Sequence, residues 1–360
     1  MLSNEKAHAI FKAHAKTFYF AAKCLAKQNF SEAAQLYATL RYLDDLVDEK
    51  IADEEVTDEN IADEEVTDED KLNGEVIDES KTNEEIINED KLTEDKLTEE
   101  VIDDTRWSAV AHQKISALIA AIEKNAPLPP EIQSTLANFK KQNLSTQYFL
   151  DFLAGMRSDC QERVVIQTEE ALIQYCYRVA GAVGAMMCPI LGIAYSQREQ
   201  ALPYAIALGI GMQLTNIARD IQEDAGNQRI YIPAEWKTVS DPHILLSSPV
   251  DQASDFTAEC KRLLDLADDY YALAMQGLPF LPFQSRVSIL LALTLYQAIG
   301  KKIQRVAYAY WQGRQSLSGL EKIKKSLVVI GSIAHPKFWI KPDAEALAFD
   351  KTQLANVQAC

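Results

Sequence analysis

QLTNIARDIQED, residues 213–224, places oxygen-bearing side chains at every fourth position: Asn216, Asp220 and Asp224. In a helix that spacing stacks the three on one face over two turns. Such a face repels itself unless a cation neutralises it, and hard divalent cations prefer oxygen ligands that they share with a substrate phosphate. The row therefore reads as half of a metal–phosphate site, with a solvated polar helix face as the plainer alternative. Immediately upstream, Ala201 to Ala218 is a run of 18 residues without a charge, so the row closes an apolar helix.

A second row lies near the start of the chain, in EAAQLYATLRYLDDLVDE. Asp44 and Asp48 are four apart with Asp45 between them, Arg41 precedes Asp44 by one turn, and Tyr37 lies one turn further back. Carboxylates clustered beside a core are costly unless a metal or arginine neutralises them. Two such rows facing each other across a helical bundle would cage several Mg²⁺ ions and grip a diphosphate. Ser31 is a candidate N-cap for this helix, with an incomplete capping box because Ala34 stands three residues on.

Ahead of the second row the chain holds two long stretches without a charge. Val179 to Gln197 is uncharged over 19 residues, and with Ala201–Ala218 it approaches the length of a membrane span. The first run holds Gly181, Gly184, Pro189 and Gly192, the second ends in polar residues, and only Arg198, Glu199 and Gln200 separate them. Both are expected to be helices buried on nearly all sides in a large helical core. Gly181 and Gly184 cost helix stability, so they should permit close helix approach or leave room for a ligand, and Tyr175 and Arg178 are set to look into the same cavity.

Composition confines the acidity to one place. The 360 residues carry a net charge of −17, but residues 51–104 hold 24 of the 53 acids and 4 of the 36 basic residues. The rest is close to neutral, which argues against a nucleic-acid footprint. Within that segment IADEEVTDEN is followed by IADEEVTDED, and apolar residues recur at about five-residue steps that drift around a helix axis. It is expected to be a low-complexity, largely disordered insert whose partner is unknown. A pentapeptide-type solenoid is the alternative, opposed by Lys71, Lys81, Lys91 and Lys96 falling in phase with the inward position.

The six cysteines show no CxxC and the five histidines no HExxH. Neither zinc nor a disulfide framework is indicated, and no GxGxxG follows a strand. The N-terminus lacks the apolar run of a secretory signal, which makes the cytoplasm the expected location.

Residues 3–27 have a helix-forming composition, with His14, Thr17 and Phe18 on a shared face of HAKTFYFAA. TRWSAVAHQKISALIAAIEK is an amphipathic helix ended by PLPP, and helices continue over 131–157 to a turn holding Arg157 and Asp159. GNQRIYIP sets Arg229 and Tyr231 on a loop or short extended piece, where an arginine suits bidentate contact with a diphosphate. Residues 254–276, 282–311 and 318–330 read as further helices and 336–360 as a tail.

HAKTFYFAA, YATLRYLDDLVDE, YCYRVAGAVG and QLTNIARDIQEDAGNQRIYIP, in this order, resemble the squalene/phytoene synthase family of head-to-head prenyl transferases. The resemblance covers most of residues 8–310 apart from the insert and looks closest to bacterial phytoene synthase. It implies the all-α isoprenoid-synthase fold around a deep apolar cavity, a single domain formed by 1–49 and 105–335. It implies Asp44, Asp45, Asp48, Asn216, Asp220 and Asp224 as metal ligands, for Mg²⁺ or alternatively Mn²⁺. Tyr175 and Tyr231 join four of these aspartates, Asp44, Asp48, Asp220 and Asp224, as implied catalytic residues. His14, Lys16, Thr17 and Phe18 fall on the family's HSKSF-like segment and, with Tyr37, Arg41, Gln213, Arg219 and Arg229, are implied substrate contacts.

The reaction so implied condenses two prenyl diphosphates through a cyclopropylcarbinyl diphosphate. Two geranylgeranyl diphosphates would give phytoene; two farnesyl diphosphates would give dehydrosqualene, or squalene with hydride from NADPH. A terpene cyclase acting on one substrate and a non-catalytic assembly factor remain the other classes, although a non-catalytic relative is expected to lose metal aspartates. A hydrocarbon product implies peripheral membrane contact.

Overall fold

The structure, a computed structural model, describes residues 3–47, 109–161, 163–238, 242–246 and 255–333. Asp48, the 51–104 insert and the 336–360 tail lie outside the described residues. What is described is helical apart from two short strands, as the resemblance implies.

Residues 3–27 form two helices, not one. α1 (Asn4–His14) is capped by the Ser3 hydroxyl, which accepts from the Lys6 amide at 3.2 Å. It stops where Ala15 leaves helical geometry (φ −118°, ψ 48°), and α2 (Lys16–Ala22) restarts beyond it. His14 therefore does not share a continuous helical face with Thr17 and Phe18. The stop has a packing cause, since the turn lets Phe11, fully buried on α1, meet Phe18 and Tyr19 of α2 edge to face.

α3 (Lys27–Val47) starts earlier than its candidate cap. Ser31 lies in its second turn, because Lys27, Gln28 and Asn29 continue the helix on the N-terminal side. The helix carries Arg41, Asp44 and Asp45 in its last turns. A helix over 109–123, here α4, α5 (Pro130–Lys141) and α6 (Gln147–Asp159) follow. The expected turn at Arg157 and Asp159 is instead the last turn of α6. A buried hydroxyl pair, Thr39 and Thr135 at 3.0 Å, ties α3 to α5.

α7 (Glu169–Cys176) passes through a π-helical turn, Tyr177–Gly181, into α8 (Ala182–Ile190). The wide turn is held from outside by the Tyr177 hydroxyl, which donates to Asp151 Oδ2 of α6 at 2.5 Å. Such bulges displace a helix wall locally and recur at functional sites. Within the uncharged run 179–197 the helix ends at Ile190, and Gly192, with a φ of +83°, turns the chain back.

α9 (Tyr195–Gly226) is the axis of the bundle, packing on α8, α10 (Thr257–Gln276) and α11 (Phe283–Arg305). It alone among the described helices is long and apolar enough to cross a membrane, yet 61% of its apolar window is buried inside the protein. It serves as the core helix the sequence implies. Its contact with the π turn and α8 is close: a Cβ on Gly184 of α8 would stand 2.1 Å from the Ala205 carbonyl oxygen, and one on Gly209 2.2 Å from that of Ala180 in the π turn.

Between α6 and α7, β1 (Val164–Val165) pairs in parallel with β2 (Arg229–Ile230), which follows α9. This two-residue ladder pins GNQRIYIP against the end of α6. α12 (Gly319–Ile333) closes the described chain and lies on α11. Seventy buried apolar residues, contributed by the helices and the segments between them, form one core cluster among the described residues.

Backbone atoms cannot yield where α9 meets the π turn and α8. Gly209→Ala should cost about 3 kcal/mol or more, whereas Gly331→Ala on the open face of α12, with nothing near its Cβ, should be neutral or stabilising. Urea unfolding of both variants checks the contrast.

Candidate active site

One cavity of about 960 Å³ enters the bundle between α2, α3 and the C-terminal half of α9 and continues along α8 and α9. His14, Lys16, Thr17, Phe18, Tyr37, Arg41, Asp44, Tyr175, Gln213, Asn216, Arg219, Asp220, Asp224, Arg229 and Tyr231 all line it. Residues spread over more than two hundred positions of chain thus meet on one surface. Asp45 does not line it, and neither does Arg178. Asp45 is drawn aside into an ion pair with Arg41 Nη2, while Arg41 Nη1 holds Asp44 Oδ2 at 2.7 Å. The i, i+3 and i, i+4 spacings let a single guanidinium reach both carboxylates.

The second row is not a straight stack. α9 kinks at Asp220, whose φ of −108° and ψ of 17° leave helical geometry. The bridge region it occupies is sparsely populated and common in active sites. There the Asp220 carboxylate receives Arg219 from the neighbouring position, its Nε at 2.8 Å from Oδ1, and Arg314 from beyond α11, its Nε at 2.9 Å from Oδ1. Arg314 also reaches Glu223 Oε2 at 3.2 Å.

Beyond the kink, burial among Asp220, Asp159 and Glu223 pushes the Asp224 carboxyl up to about 8, with Arg229 partly offsetting. Asn216 donates to Gln213 Oε1 at 3.3 Å, and its own Oδ1 is buried without a protein partner.

An orphaned amide oxygen at Asn216, the Asp224 carboxyl that resists ionising and the Asp220 carboxylate on one cavity wall make an oxygen donor set that would suit a hard divalent cation. The residues fit the metal the family pattern implies. Among the described residues, however, no three acidic, histidine or cysteine side chains converge into a finished cage, because Arg41, Arg219 and Arg314 hold the carboxylates. A metal bound here would have to exchange those ion pairs.

Asp159 organises the third wall. It is fully enclosed, accepts from Tyr175 OH at Oδ2 and from Tyr231 OH at Oδ1, both at 2.9 Å, and lines the cavity. The two rings stack at 4.6 Å and 21°. Burial pushes the Asp159 carboxyl up to about 6, and Arg229 and the two hydroxyls act against that rise. Both phenols are pushed well above their ordinary value by burial and by Asp159, so they remain hydrogen-bond donors at neutral pH.

Asp159, Glu223, Tyr296 and Arg314 line the cavity without having been singled out as site residues from sequence. Asp159 and Arg314 belong to no periodic row. Glu223 stands inside the 213–224 stretch but off its four-residue spacing. The weak signal at Tyr296 is a phenol interrupting an apolar helix. Deeper in, the walls are Val179, Ala180, Val183, Ala201, Ala205, Leu208 and Met212. They supply no charge, so water entering there gains no polar partner.

A family model described as squalene/phytoene synthase matches residues 11–321. The 15-cis-phytoene synthase of Enterobacter agglomerans is 36% identical over 220 residues, 59% of this chain and 72% of that protein. Phytoene synthase 2, chloroplastic, of Solanum lycopersicum is 31% identical over 265 residues, 70% of this chain and 82% of that one. Among solved structures, a dehydrosqualene synthase in complex with ligand superposes with a TM-score of 0.64 at 20% identity, covering 92% of this chain and 96% of that one. At that identity the superposition speaks for the fold.

The raised Asp224 carboxyl fixes a pH dependence. The folded value of about 8 lies above the ordinary 3.8, so between the two the folded chain keeps a proton that the unfolded chain releases, and stability falls as pH rises. Asp224→Asn should remove this loss. It should exceed wild type at pH 8 by on the order of 1 kcal/mol or more, and by much less at pH 4, in metal-free urea unfolding. Added Mg²⁺ should stabilise the wild type more than Asp224→Asn at pH 8.

Proposed function

The chain belongs to the squalene/phytoene synthase family, and from that premise we propose that it joins two geranylgeranyl diphosphates head to head to give phytoene. The observation that carries this reading is that Asp44 of the first row, Asn216, Asp220 and Asp224 of the second, and four arginines line a single cavity with apolar deeper walls. We read residues 1–49 and 105–335 as one isoprenoid-synthase domain, with 51–104 as an acidic insert.

Asp44, Asp48, Asn216, Asp220 and Asp224 would hold Mg²⁺, which supplies charge neutralisation of the diphosphates when bound. Asp45, paired with Arg41, keeps that guanidinium turned toward the row. Arg41, Arg219, Arg229 and Arg314 give the planar, bidentate contacts that suit phosphate oxygens. Lys16 adds a point charge at the rim, and His14, Thr17 and Gln213 offer polar contacts beside it.

Loss of the first diphosphate leaves an allylic cation. Its C1 bonds to the double bond of the second substrate, and a proton leaves to close a cyclopropylcarbinyl diphosphate. Departure of the second diphosphate and rearrangement form the C1–C1′ bond, and a final proton loss gives phytoene without a reductant. A squalene outcome would need hydride from NADPH instead. Throughout, the apolar walls keep water from quenching the cations, and the stacked rings of Tyr175 and Tyr231 offer π faces to positive charge. Asp159, accepting from both hydroxyls, positions those rings.

Chain length follows from depth. The lining runs along α9 from Asp220 back to Ala201, a span of about 30 Å at the helical rise of about 1.5 Å per residue. Small residues at Ala201, Ala205, Ala274 and Gly277 keep the far end open, which favours the longer prenyl chain. The cysteine pattern favours a reducing cytoplasm, and the hydrocarbon product favours peripheral contact with membrane.

Purified protein incubated with geranylgeranyl or farnesyl diphosphate and Mg²⁺, with and without NADPH, should yield a C40 hydrocarbon from the C20 substrate with no need for reductant. A C30 hydrocarbon alone would move the assignment to dehydrosqualene or squalene, and no hydrocarbon from either would sink the reading. Ala205→Phe, which fills the deep wall, should lower kcat/KM for the C20 substrate at least about tenfold relative to the C15 substrate.

A further inference from the structure

α12 is laid on the bundle with its apolar face outward. Leu320, Ile323, Leu327, Val328 and Ile330 are 71%, 53%, 63%, 58% and 61% exposed, while the side toward the protein carries half-buried Lys322, Lys325 and Ser326 around the buried Val329. A helix on a soluble bundle ordinarily presents the reverse. Among the described residues the other exposed large apolar side chains, such as Tyr195, Met275 and Phe283, are scattered over different elements, so α12 holds the one concentrated patch.

At 100° per residue, Ile330, Ile323, Leu327 and Leu320 fall within about 80° of arc, and Lys324 and Val328 extend it by about as much again. Lys324 sits in the face and Lys325 lies beyond its Val328 edge, against a single acid in the helix, Glu321. Lys322 leans over the Phe20 ring of α2 at 6.0 Å. Long lysine stems beside an apolar face keep their stems in the apolar layer and their ammonium groups at a polar, anionic surface.

The patch is also joined to the cavity. Arg314, Gln315 and Ser316 line the cavity just before α12 begins. Lys302 fixes that junction by donating to the Ser316 carbonyl at 2.8 Å and to Glu321 at 3.2 Å. A helical partner would use the 3-4-3 spacing of Leu320, Ile323, Leu327 and Ile330, but that seam covers less than the roughly three heptads a coiled coil needs. An anionic bilayer matches the width of the face, its lysines and its place beside the opening.

We propose that α12 is a membrane-docking helix, which seats the cavity rim on an anionic lipid surface by inserting Leu320, Ile323, Leu327, Val328 and Ile330 between headgroups. The choice of lipid as partner rests on the prenyl diphosphate reading, whose product leaves an apolar cavity for an apolar phase. Lys324 and Lys325 supply the preference for negative headgroups.

Flotation of the full-length chain with phosphatidylcholine vesicles, with and without phosphatidylglycerol, tests it. Wild type should float with the anionic vesicles. Ile323→Glu with Leu327→Glu should lower the bound fraction roughly tenfold or more, and Lys324→Glu with Lys325→Glu should weaken binding several-fold on anionic vesicles only. These exposed positions should leave hydrocarbon formation from detergent-dispersed substrate unchanged, and that readout separates the surface from the reaction. The proposal is overturned if wild type stays unbound. It is equally overturned if the Ile323/Leu327 variant floats as well as wild type, if that variant only dissociates a dimer, or if binding appears only after residues 334–360 are removed.

Discussion

Carboxylates set into the wall of an apolar cavity are the constraint that the rest of this structure accommodates. Asp159 and Asp224 are enclosed deeply enough that burial raises their carboxyls to about 6 and about 8, and an unpaired charge there would be prohibitive. Each neighbour answers that cost. Two phenols and Arg229 serve Asp159, Arg219 and Arg314 hold Asp220, and Arg41 spans Asp44 and Asp45. The same arrangement suits the proposed chemistry, because groups that hold carboxylates in check would also grip phosphate oxygens.

The scaffold follows from that requirement. Arginines from α3, α9, β2 and the segment after α11 converge only because α9 runs through the centre of the bundle and kinks where its row begins to turn. The backbone contacts at Gly184 and Gly209 draw α8 and the π turn against α9, and the π turn puts Val179 and Ala180 on the cavity wall. The two-residue ladder of β1 and β2 is small, yet it fixes where Tyr231 ends, and so whether Asp159 has two donors or one.

Much of the site was legible because helical spacing is rigid. Four-residue steps at Asn216, Asp220 and Asp224, and the set Tyr37, Arg41, Asp44, specify one face each, and the structure brings both faces to one cavity. What spacing misjudged has local causes. A residue's type could not reveal that Ala15 would break the first helix in favour of aromatic packing, nor that α3 would extend past Ser31. Arg314 and Asp159 carry no pattern, since each acts alone from the end of an element.

The sequence by itself determined the helices, the two aspartate rows, the apolar lining and the family resemblance, because periodicity and residue chemistry are properties of neighbouring positions. Only the tertiary structure decided that Asp45 turns away while Asp44 faces the cavity, that Asp159 anchors Tyr175 and Tyr231, that Arg314 completes the second row, and that α12 points its apolar side outward. Those outcomes depend on which surfaces meet across more than a hundred residues of chain, and such meetings are set by packing, which no local pattern encodes.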